Sequence, residues 1–592
     1  MAEEKPVLIE AAPSAQTEGA TFTLQYKNRF LYSKYNPQKN ILQAIQNLKL
    51  LPGTLVLAFS PGLFYGLEEL KKKCVEASSQ VLCVEAEKAL YDFSFHLNEE
   101  KNFNATLLPY QNNTAVGLDD FFNNASQKFR RVIRLDLSAG VSFNEGFYKN
   151  FYECAQNIVA AFWKNRLTLV RLGRLYSKNI FKNLLLAAAC PSFEAFEGTV
   201  EKPILVCGAG ESLDELTAFA RENCSQGLAL QQAQKGAAAI AAINKRFFIL
   251  AVDAAVPALL AAGIRIDAIA ATESQLAIEK AYIGLGKDCS QDQERGGPIF
   301  FFDLTSRAAI ARRYAKRSAF YFSEFVKNEF LNRLKQNGLL PKIAPPLGSI
   351  GLTATYLALR LRKDQSVPVY VLGLDFSFSA GRTHAKGTAQ SKALYINSSR
   401  LRSAQNCAAA YGPGSEKIRG KDGRDFWTSK NLFGYACLFK QYFMGAKNLY
   451  DAGKSGLDLG LEKRHLLDFL GSAAAQVPGI EQKTAKSQKS AAAFGLSNSE
   501  RADKAEDFLR GELTALRALA DLLSKGEASE ARDKTITLDE QILRNLSGRE
   551  YLYLHFPDGT APSLELNFLT RVRSQIDFFA KDIETALAAA QV

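Results

Sequence analysis

Four histidines occur in the 592-residue sequence, His96, His384, His465 and His555. Histidine is the side chain whose ordinary pKa best suits it to take a proton from an attacking hydroxyl near neutrality. Only His384 lies in a glycine-flanked loop, Gly381-Arg382-Thr383-His384-Ala385, that follows a ligand-facing strand end, Gly373-Leu374-Asp375. His384 is therefore the candidate base, with Asp375 and Glu273 as rivals; the plainer alternative is that it only hydrogen-bonds to fix its loop. Two further tracts are suited to an anion. In Gly208-Ala209-Gly210-Glu211-Ser212-Leu213 the glycines let backbone approach a phosphate, and the helix that follows offers free N–H groups. Gly348 and Ser349 open a second helix, where Ser349 as a simple N-cap is the competing reading. Two such turns in one α/β unit could grip one nucleotide. A dinucleotide site does not fit, because no Asp or Glu occurs between Gly227 and Leu250, and the missing Lys-Ser/Thr ending excludes a P-loop.

These residues need a sheet to hold them. Apolar strands are expected at Ile204–Val206, at Phe247–Val252 ending in Asp253, and at Ala268–Ala271 ending in Thr272-Glu273. Others are expected at Ile299–Phe302 ending in Asp303 and at Val369–Leu372 ending in Asp375. Helical segments alternate with them, which predicts a mostly parallel sheet covered on both faces, with ligands taken at the C-terminal strand ends. Upstream, the strand at residues 55–59, the turn Ser60–Gly66, a helix at Leu67–Glu76 and a strand ending in Glu85 predict a Rossmann-like N-terminal domain. Gly62, Gly66 and Glu85 resemble a nucleoside pocket, but Ser60-Pro61 and Phe64-Tyr65 replace its glycine-rich loop, so a structural domain is favoured. Residues 376–425 turn polar and read as a lid or disordered segment, with Trp427, Lys417, Arg419, Lys421 and Arg424 as either an acidic-surface binder or a solvated loop. Beyond residue 499, leucines recur three or four apart, as on amphipathic helices. The expected organisation is an α/β protein with a Rossmann-like domain at 1–195, a central α/β domain at 196–465, a linker at 466–499 and a helical domain at 500–592.

Length alone excludes a lone binding module, and 47% hydrophobic with 23% charged residues excludes a mostly disordered chain. The formal charge of +12 favours an anionic partner without saying which. Nine cysteines without a Cys-x-x-Cys pair make a zinc site improbable, and no metal site is expected. No basic and aromatic positions repeat along one element as nucleic-acid binding would need. No uninterrupted apolar run reaches membrane-spanning length, and the start Met1-Ala2-Glu3-Glu4-Lys5 lacks the pattern of a signal peptide, so a cytoplasmic protein with reduced thiols is expected.

The ordered set Val206–Leu213, Ile249–Asp253 with Gly263–Asp267, Leu347–Ser349, Val371–Asp375 and Gly381–Ala385 resembles the motility-associated factor (Maf) glycosyltransferases. The central domain of that family is related to archaeal 6-hydroxymethylpterin diphosphokinases (MptE-like) and, more distantly, to sialyltransferases of GT-A type. Ser33–Pro37 and Pro61–Gly66 look like the amino-terminal part of the same family, so the resemblance covers roughly residues 25 to 465. It implies transfer of a nonulosonic acid of pseudaminic, legionaminic or sialic type from a CMP-activated donor to Ser or Thr of flagellin. By position, Gly208, Gly210 and Ser212 would hold the donor phosphate or cytidine, and Asp253, Thr272 and Glu273 would line the cleft. Gly348 and Ser349 would bind the other side of the nucleotide, and Asp375 with His384 would face the reacting centre. Arg307, Arg312, Arg313 and Lys342 could neutralise the donor's charges, although a solvated helix face competes for them. One position departs: Glu211 stands where the family usually has proline, and a carboxylate beside an anionic donor is unfavourable unless it points away. The alternatives are a pterin diphosphokinase using Asp253, Asp303 and Asp375 around magnesium, and a non-catalytic flagellin-binding protein.

Overall fold

The β-strand Thr54–Phe59 (β4) is buried along its whole length, as an apolar strand covered on both faces must be. In the computed structural model it pairs in parallel with Gln80–Val84 (β5) and Arg131–Asp136 (β6). The structure describes residues 5–11, 21–108, 121, 129–225, 240–286, 297–405, 407–466, 498–525 and 537–589, so the expected linker lies outside the described residues except at its ends. The chain divides into two compact units, Met1–Arg171 and Leu172–Val592.

In the first unit an antiparallel ribbon, Val7–Glu10 (β1), Phe22–Tyr26 (β2) and Arg29–Phe30 (β3), accompanies the β5-β4-β6 sheet. Helices Lys39–Asn47 (α1), Leu67–Glu76 (α2) and Lys88–Lys101 (α3) follow in chain order. Glu85, at the end of β5, is buried, and burial raises its pKa. One carboxylate oxygen accepts the Ser60 hydroxyl at 2.8 Å, and the other accepts the Tyr148 hydroxyl at 2.8 Å and the N–H groups of Ala86 and Glu87. A Cβ on Gly62 would stand 2.5 Å from the Tyr32 hydroxyl. A Cβ on Gly66 would stand 2.6 Å from the Ile45 side chain, so the three residues that resembled a nucleoside pocket are packed against the unit's own side chains.

One long helix runs from Glu145 to Ala189 (α4) and contributes to both units. Its apolar stripe continues through Ile180, Phe181, Leu184 and Ala188, all buried, and that burial carries it past Gly173.

The second unit is built on nine parallel strands. They are Ile204–Cys207 (β7), Phe248–Val252 (β8), Ala268–Ala271 (β9), Ile299–Asp303 (β10), Ser318–Ser323 (β11), Lys342–Ala344 (β12), Val369–Leu372 (β13), Leu449–Asp451 (β16) and Glu462–Lys463 (β17). Their order is β12-β11-β10-β9-β8-β7-β13-β16-β17. The chain steps outward from β7 to β12, then returns through the helix Ile350–Leu361 to place β13 on the other side of β7. The direction of winding therefore reverses between β7 and β13, where an open α/β sheet leaves a crevice at its strand ends. The α/β class, the mostly parallel sheet and the helical C-terminal region are as expected. The helices of this unit used below are Leu213–Ser225 (α5), Glu329–Gln336 (α6), Ile350–Leu361 (α7), Lys430–Phe443 (α8), Asn498–Lys525 (α9), Leu538–Ser547 (α10) and Leu566–Ala588 (α11).

The described residues of the polar segment 376–425 are not the disordered stretch that was one of its two expected readings. They hold the short helices Ala389–Ile396 and Cys407–Tyr411 and most of a hairpin, Ser415–Arg419 (β14) with Asp425–Ser429 (β15). Aromatic residues anchor the hairpin: Phe378 and Trp427 exchange N–H···O bonds of 2.8 Å, and the Thr428 hydroxyl donates to the Phe376 carbonyl. At its turn Lys421 is buried, with its ammonium 2.7 and 2.6 Å from the two oxygens of Asp451 at the end of β16. A residue read as part of a solvated or acid-binding loop is therefore an internal ion pair.

The C-terminal helices join the sheet through two carboxylates. Glu550 accepts the N–H groups of Glu329 and Phe330 at 3.1 and 3.0 Å, capping α6 where its partial positive charge lies. Glu512 of α9 is fully buried; it accepts the Tyr551 hydroxyl at 2.7 Å and ion-pairs with Arg333 of α6 and Arg549. Removing one member of such a buried cluster strands the other charges, so Glu512→Ala should cost about 3–5 kcal/mol. The check is the urea midpoint; a change below about 1 kcal/mol would show that the cluster is not a structural hub.

Candidate functional site

β7 ends at Cys207, and the N–H of Gly208 carries the ladder one residue further by donating to the Leu372 carbonyl at 2.7 Å. Here the two turns on either side of the reversal come into direct backbone contact. A Cβ on Gly208 would lie 2.2 Å from the Gly373 carbonyl oxygen, and one on Gly373, whose φ is +73°, would lie 2.3 Å from the Gly208 oxygen. A Cβ on Gly210 would meet the Asp375 carboxylate at 2.7 Å. The glycines read as a phosphate cradle are thus required, first of all, by the neighbouring turn.

Asp375 takes the place of a ligand anion at the start of α5. Its Oδ2 accepts the Ser212 N–H at 2.7 Å, and its Oδ1 accepts the Ser212 hydroxyl. That hydroxyl in turn accepts the Gly373 N–H at 2.8 Å. Asp375 is 4% exposed, and burial pushes its pKa up to about 7, against the opposing pull of Ser212 and of the Lys421 ammonium. The structure brings Gly208, Gly210, Ser212 and Asp375 together, with the serine and the aspartate spent on each other.

The Glu211 carboxylate is taken up by the loop after β13, although its charge still helps to raise the pKa of Asp375. It accepts the N–H and hydroxyl of Ser379 at 2.5 and 2.7 Å and one arm of Arg382 at 2.9 Å. His384 lies in the same loop, which is tied to the glycine turn by the Ala385 N–H donating to the Ala209 carbonyl at 2.9 Å. Its Nδ1 is 3.0 Å from the Thr383 hydroxyl. Burial lowers its pKa below the ordinary 6.5, so the imidazole is neutral at neutral pH and able to accept a proton.

Asp253, Thr272 and Glu273 sit at the ends of β8 and β9, on the far side of β7 from β13. Three strand spacings of about 4.8 Å separate the backbones of β9 and β13 by about 14 Å, so Glu273 belongs with Asp253 and not with Asp375. Glu273 accepts the Gln275 N–H at 2.9 Å. Asp253 is buried; its Oδ1 accepts the Ala254 N–H, its Oδ2 has no hydrogen-bond partner among the described residues, and burial pushes its pKa up to about 7. Asp303 has its oxygens taken by Thr305 and Ser323.

Gly348 and Ser349 precede α7. Ser349 occupies the N-cap position, but its side chain makes no cap hydrogen bond, and Gly348 is exposed with φ +70°. A Cβ on Gly348 would lie 3.1 Å from the ring of Tyr435 in α8, and one on Gly351 would lie 2.6 Å from Leu374, which puts the start of α7 beside the end of β13. Tyr176 of α4 has its pKa pushed up to about 12 by burial and by the charges of Glu273 and Asp303, with a further contribution from Tyr435. Tyr176 and Tyr435, which lie near these strand ends, had no signal in the sequence, because a single tyrosine in a helix carries no local sign of what it faces. Arg307 and Lys342 pair with Glu279 and with Glu194 and Glu197, while Arg312 and Arg313 donate to the Lys182 and Leu285 carbonyls.

No protein-family model matches the chain. A protein of Treponema pallidum (strain Nichols), described as uncharacterized, is 30% identical over 583 residues, which is 95% of this chain and 93% of that one. Among solved structures, a Maf glycosyltransferase from Magnetospirillum magneticum AMB-1 is similar over 99% of this chain and 92% of its own, at 14% identity and a TM-score of 0.49.

Two measurements test this geometry. Gly208→Ala drives a methyl group into a backbone oxygen that cannot swing away, and should lower stability by about 2–4 kcal/mol in urea. A neutral result would mean the two turns are not in contact. Asp253 holds its proton in the fold up to about pH 7, whereas the unfolded chain releases it near 3.8. Its contribution is therefore full below pH 4 and is lost as pH rises through 7, with a slope of at most about 1.4 kcal/mol per pH unit. Asp253→Asn should flatten stability against pH between 4 and 7, gaining relative to the parent at pH 8.

Proposed function

We propose that this chain, which belongs to one family with the Treponema pallidum protein, is a glycosyltransferase that moves a nonulosonic acid from a CMP-activated donor to Ser or Thr hydroxyls of flagellin. The observation that carries the reading is the neutral His384 imidazole, in a loop bonded to the glycine turn at the winding reversal of a parallel sheet. Of the motifs that resemble the Maf glycosyltransferases, Val206–Leu213, Ile249–Asp253, Val371–Asp375 and Gly381–Ala385 lead to or follow these strand ends, Leu347–Ser349 opens α7 beside β13, and Gly263–Asp267 lies at the opposite edge of the sheet, where Asp267 accepts the Ile249 N–H. With the start of α5 occupied by Asp375, the donor phosphate is assigned to the start of α7. There the exposed Gly348 leaves room for the phosphate, and the Ser349 hydroxyl and the first-turn N–H groups would donate to its oxygens.

In the chemistry, the acceptor hydroxyl oxygen forms a bond to the anomeric carbon as the carbon–phosphate oxygen bond breaks. CMP leaves with the electron pair. The hydroxyl proton goes to Nε2 of His384, in the tautomer whose Nδ1–H donates to the Thr383 hydroxyl. Gly208, Gly210, Ser212 and Asp375 build the floor of the crevice. Asp253, Thr272 and Glu273 line its β8–β9 side, toward the cytidine or the sugar.

The test is incubation of the protein with CMP-nonulosonate and flagellin. CMP release with a matching mass gain on flagellin is expected; binding without a mass gain would make it a flagellin-binding protein, and pyrophosphoryl transfer from ATP to a hydroxymethylpterin would make it a diphosphokinase. His384→Ala should lower kcat by about 10²–10⁴-fold with little change in donor KM. Ser349→Ala should raise donor KM by about tenfold through loss of one charge-assisted hydrogen bond. The acid limb of the rate profile should have its midpoint below 6.5, because burial favours the neutral imidazole. A midpoint above 6.5, or unchanged transfer in both variants, would refute the assignment.

A further inference from the structure

Glu211, the residue that departs from the family pattern, lies in a cluster whose geometry has one evident use. Its carboxylate, in a residue only 7% exposed, receives the Ser379 N–H and hydroxyl and the Nη2 arm of Arg382. The other arm of Arg382 donates to Asp214 Oδ2 at 2.6 Å, and Asp214 Oδ1 accepts the Lys386 N–H at 2.8 Å. The Ala385 N–H bonds to Ala209. The loop is therefore held at residues 379, 382, 385 and 386 by the last residues before α5 and by its first turn, and His384 lies between the holds at 382 and 385. Arginine shared between two carboxylates fixes direction as well as distance, because its planar fork cannot rotate without breaking both bonds.

We infer that Glu211, Asp214 and Arg382 form a clamp that positions the His384 imidazole over the glycine turn, making them positioning residues for proton removal. This rests on the reading of His384 as the base. An unclamped loop would leave the imidazole sampling many directions, and a misplacement of about 1 Å in a catalytic group is enough to cost on the order of 10²-fold in rate. The charged groups bonded to the loop from α5 and the turn before it are Glu211 and Asp214, the loop's own Arg382 lies between them, and burial alone accounts for the lowered pKa of His384.

The experiment compares the full-length parent with Glu211→Gln, which keeps the shape and loses the charge, Arg382→Met, which keeps the length, and Arg382→Lys. Imidazole resonances of the four histidines are followed against pH by NMR, with the His384 signal identified by its absence in His384→Gln. In the parent His384 should titrate below 6.5. In Glu211→Gln and Arg382→Met it should move upward by about half a pH unit or more as the loop opens to water, while the other three histidines stay in place. In the transfer assay kcat should fall by about 10- to 100-fold with donor KM within about twofold, and Arg382→Lys should recover only part of the loss. An unmoved His384 titration in both variants, with thermal unfolding intact, overturns the clamp. A shifted titration in a protein whose parent shows no transfer supports the clamp and refutes the proposed activity.

Discussion

The contact of the Gly208 and Gly373 backbones, with no side chain between them, is the constraint from which the rest of the site follows. It fixes the turns after β7 and β13 at the point where the sheet reverses its winding. Only hydrogen in place of a Cβ lets the two carbonyls approach so closely. Once they do, the Ser212 hydroxyl is within reach of both the Gly373 N–H and the Asp375 carboxylate and bridges them. The start of α5 thereby acquires an anion from its own chain, and the free helix start is that of α7.

The same crevice shows how burial sets charge. Asp375 and Asp253 both lie at strand ends, both are buried, and both have pKa values pushed up to about 7. Asp375 has two donors from Ser212 and a nearby ammonium to offset its desolvation; one oxygen of Asp253 has no partner among the described residues. Lys421 shows the opposite case, a cation whose burial is compensated by both oxygens of Asp451. Arg307 and Lys342, expected to neutralise a donor, are likewise paired with carboxylates, so the +12 is no evidence of an anion site at these residues.

The strands and the glycine turns could be read from the sequence because their signals are local: four buried apolar residues, then small residues, then a helix. The residues at the strand ends followed from the same pattern. What could not be read depends on partners far along the chain. Ser212 and Asp375 are 163 residues apart, and nothing near either one announces the other. Glu211 stood out as a departure from a family pattern, yet its purpose required Ser379 and Arg382, 168 and 171 residues away. The segment 376–425 was misread for a related reason. Its polar composition describes what faces water, whereas Phe378, Phe426 and Trp427 decide how it is held.

The cap on α6 bears on how the chain is made. The N–H groups of Glu329 and Phe330 receive their carboxylate from Glu550, some 220 positions later. At about 5–20 residues per second, ribosomal synthesis brings that residue out roughly 10–40 s after the helix it completes. During that interval the helix start has only its local cap, Asn328 Oδ1 accepting the Leu331 N–H, and Arg333 waits 179 positions for Glu512, although the strands from β7 to β11 have already been made. The last helices therefore act as a late closure on an older framework, and the period before they arrive is when the nascent chain has most need of protection.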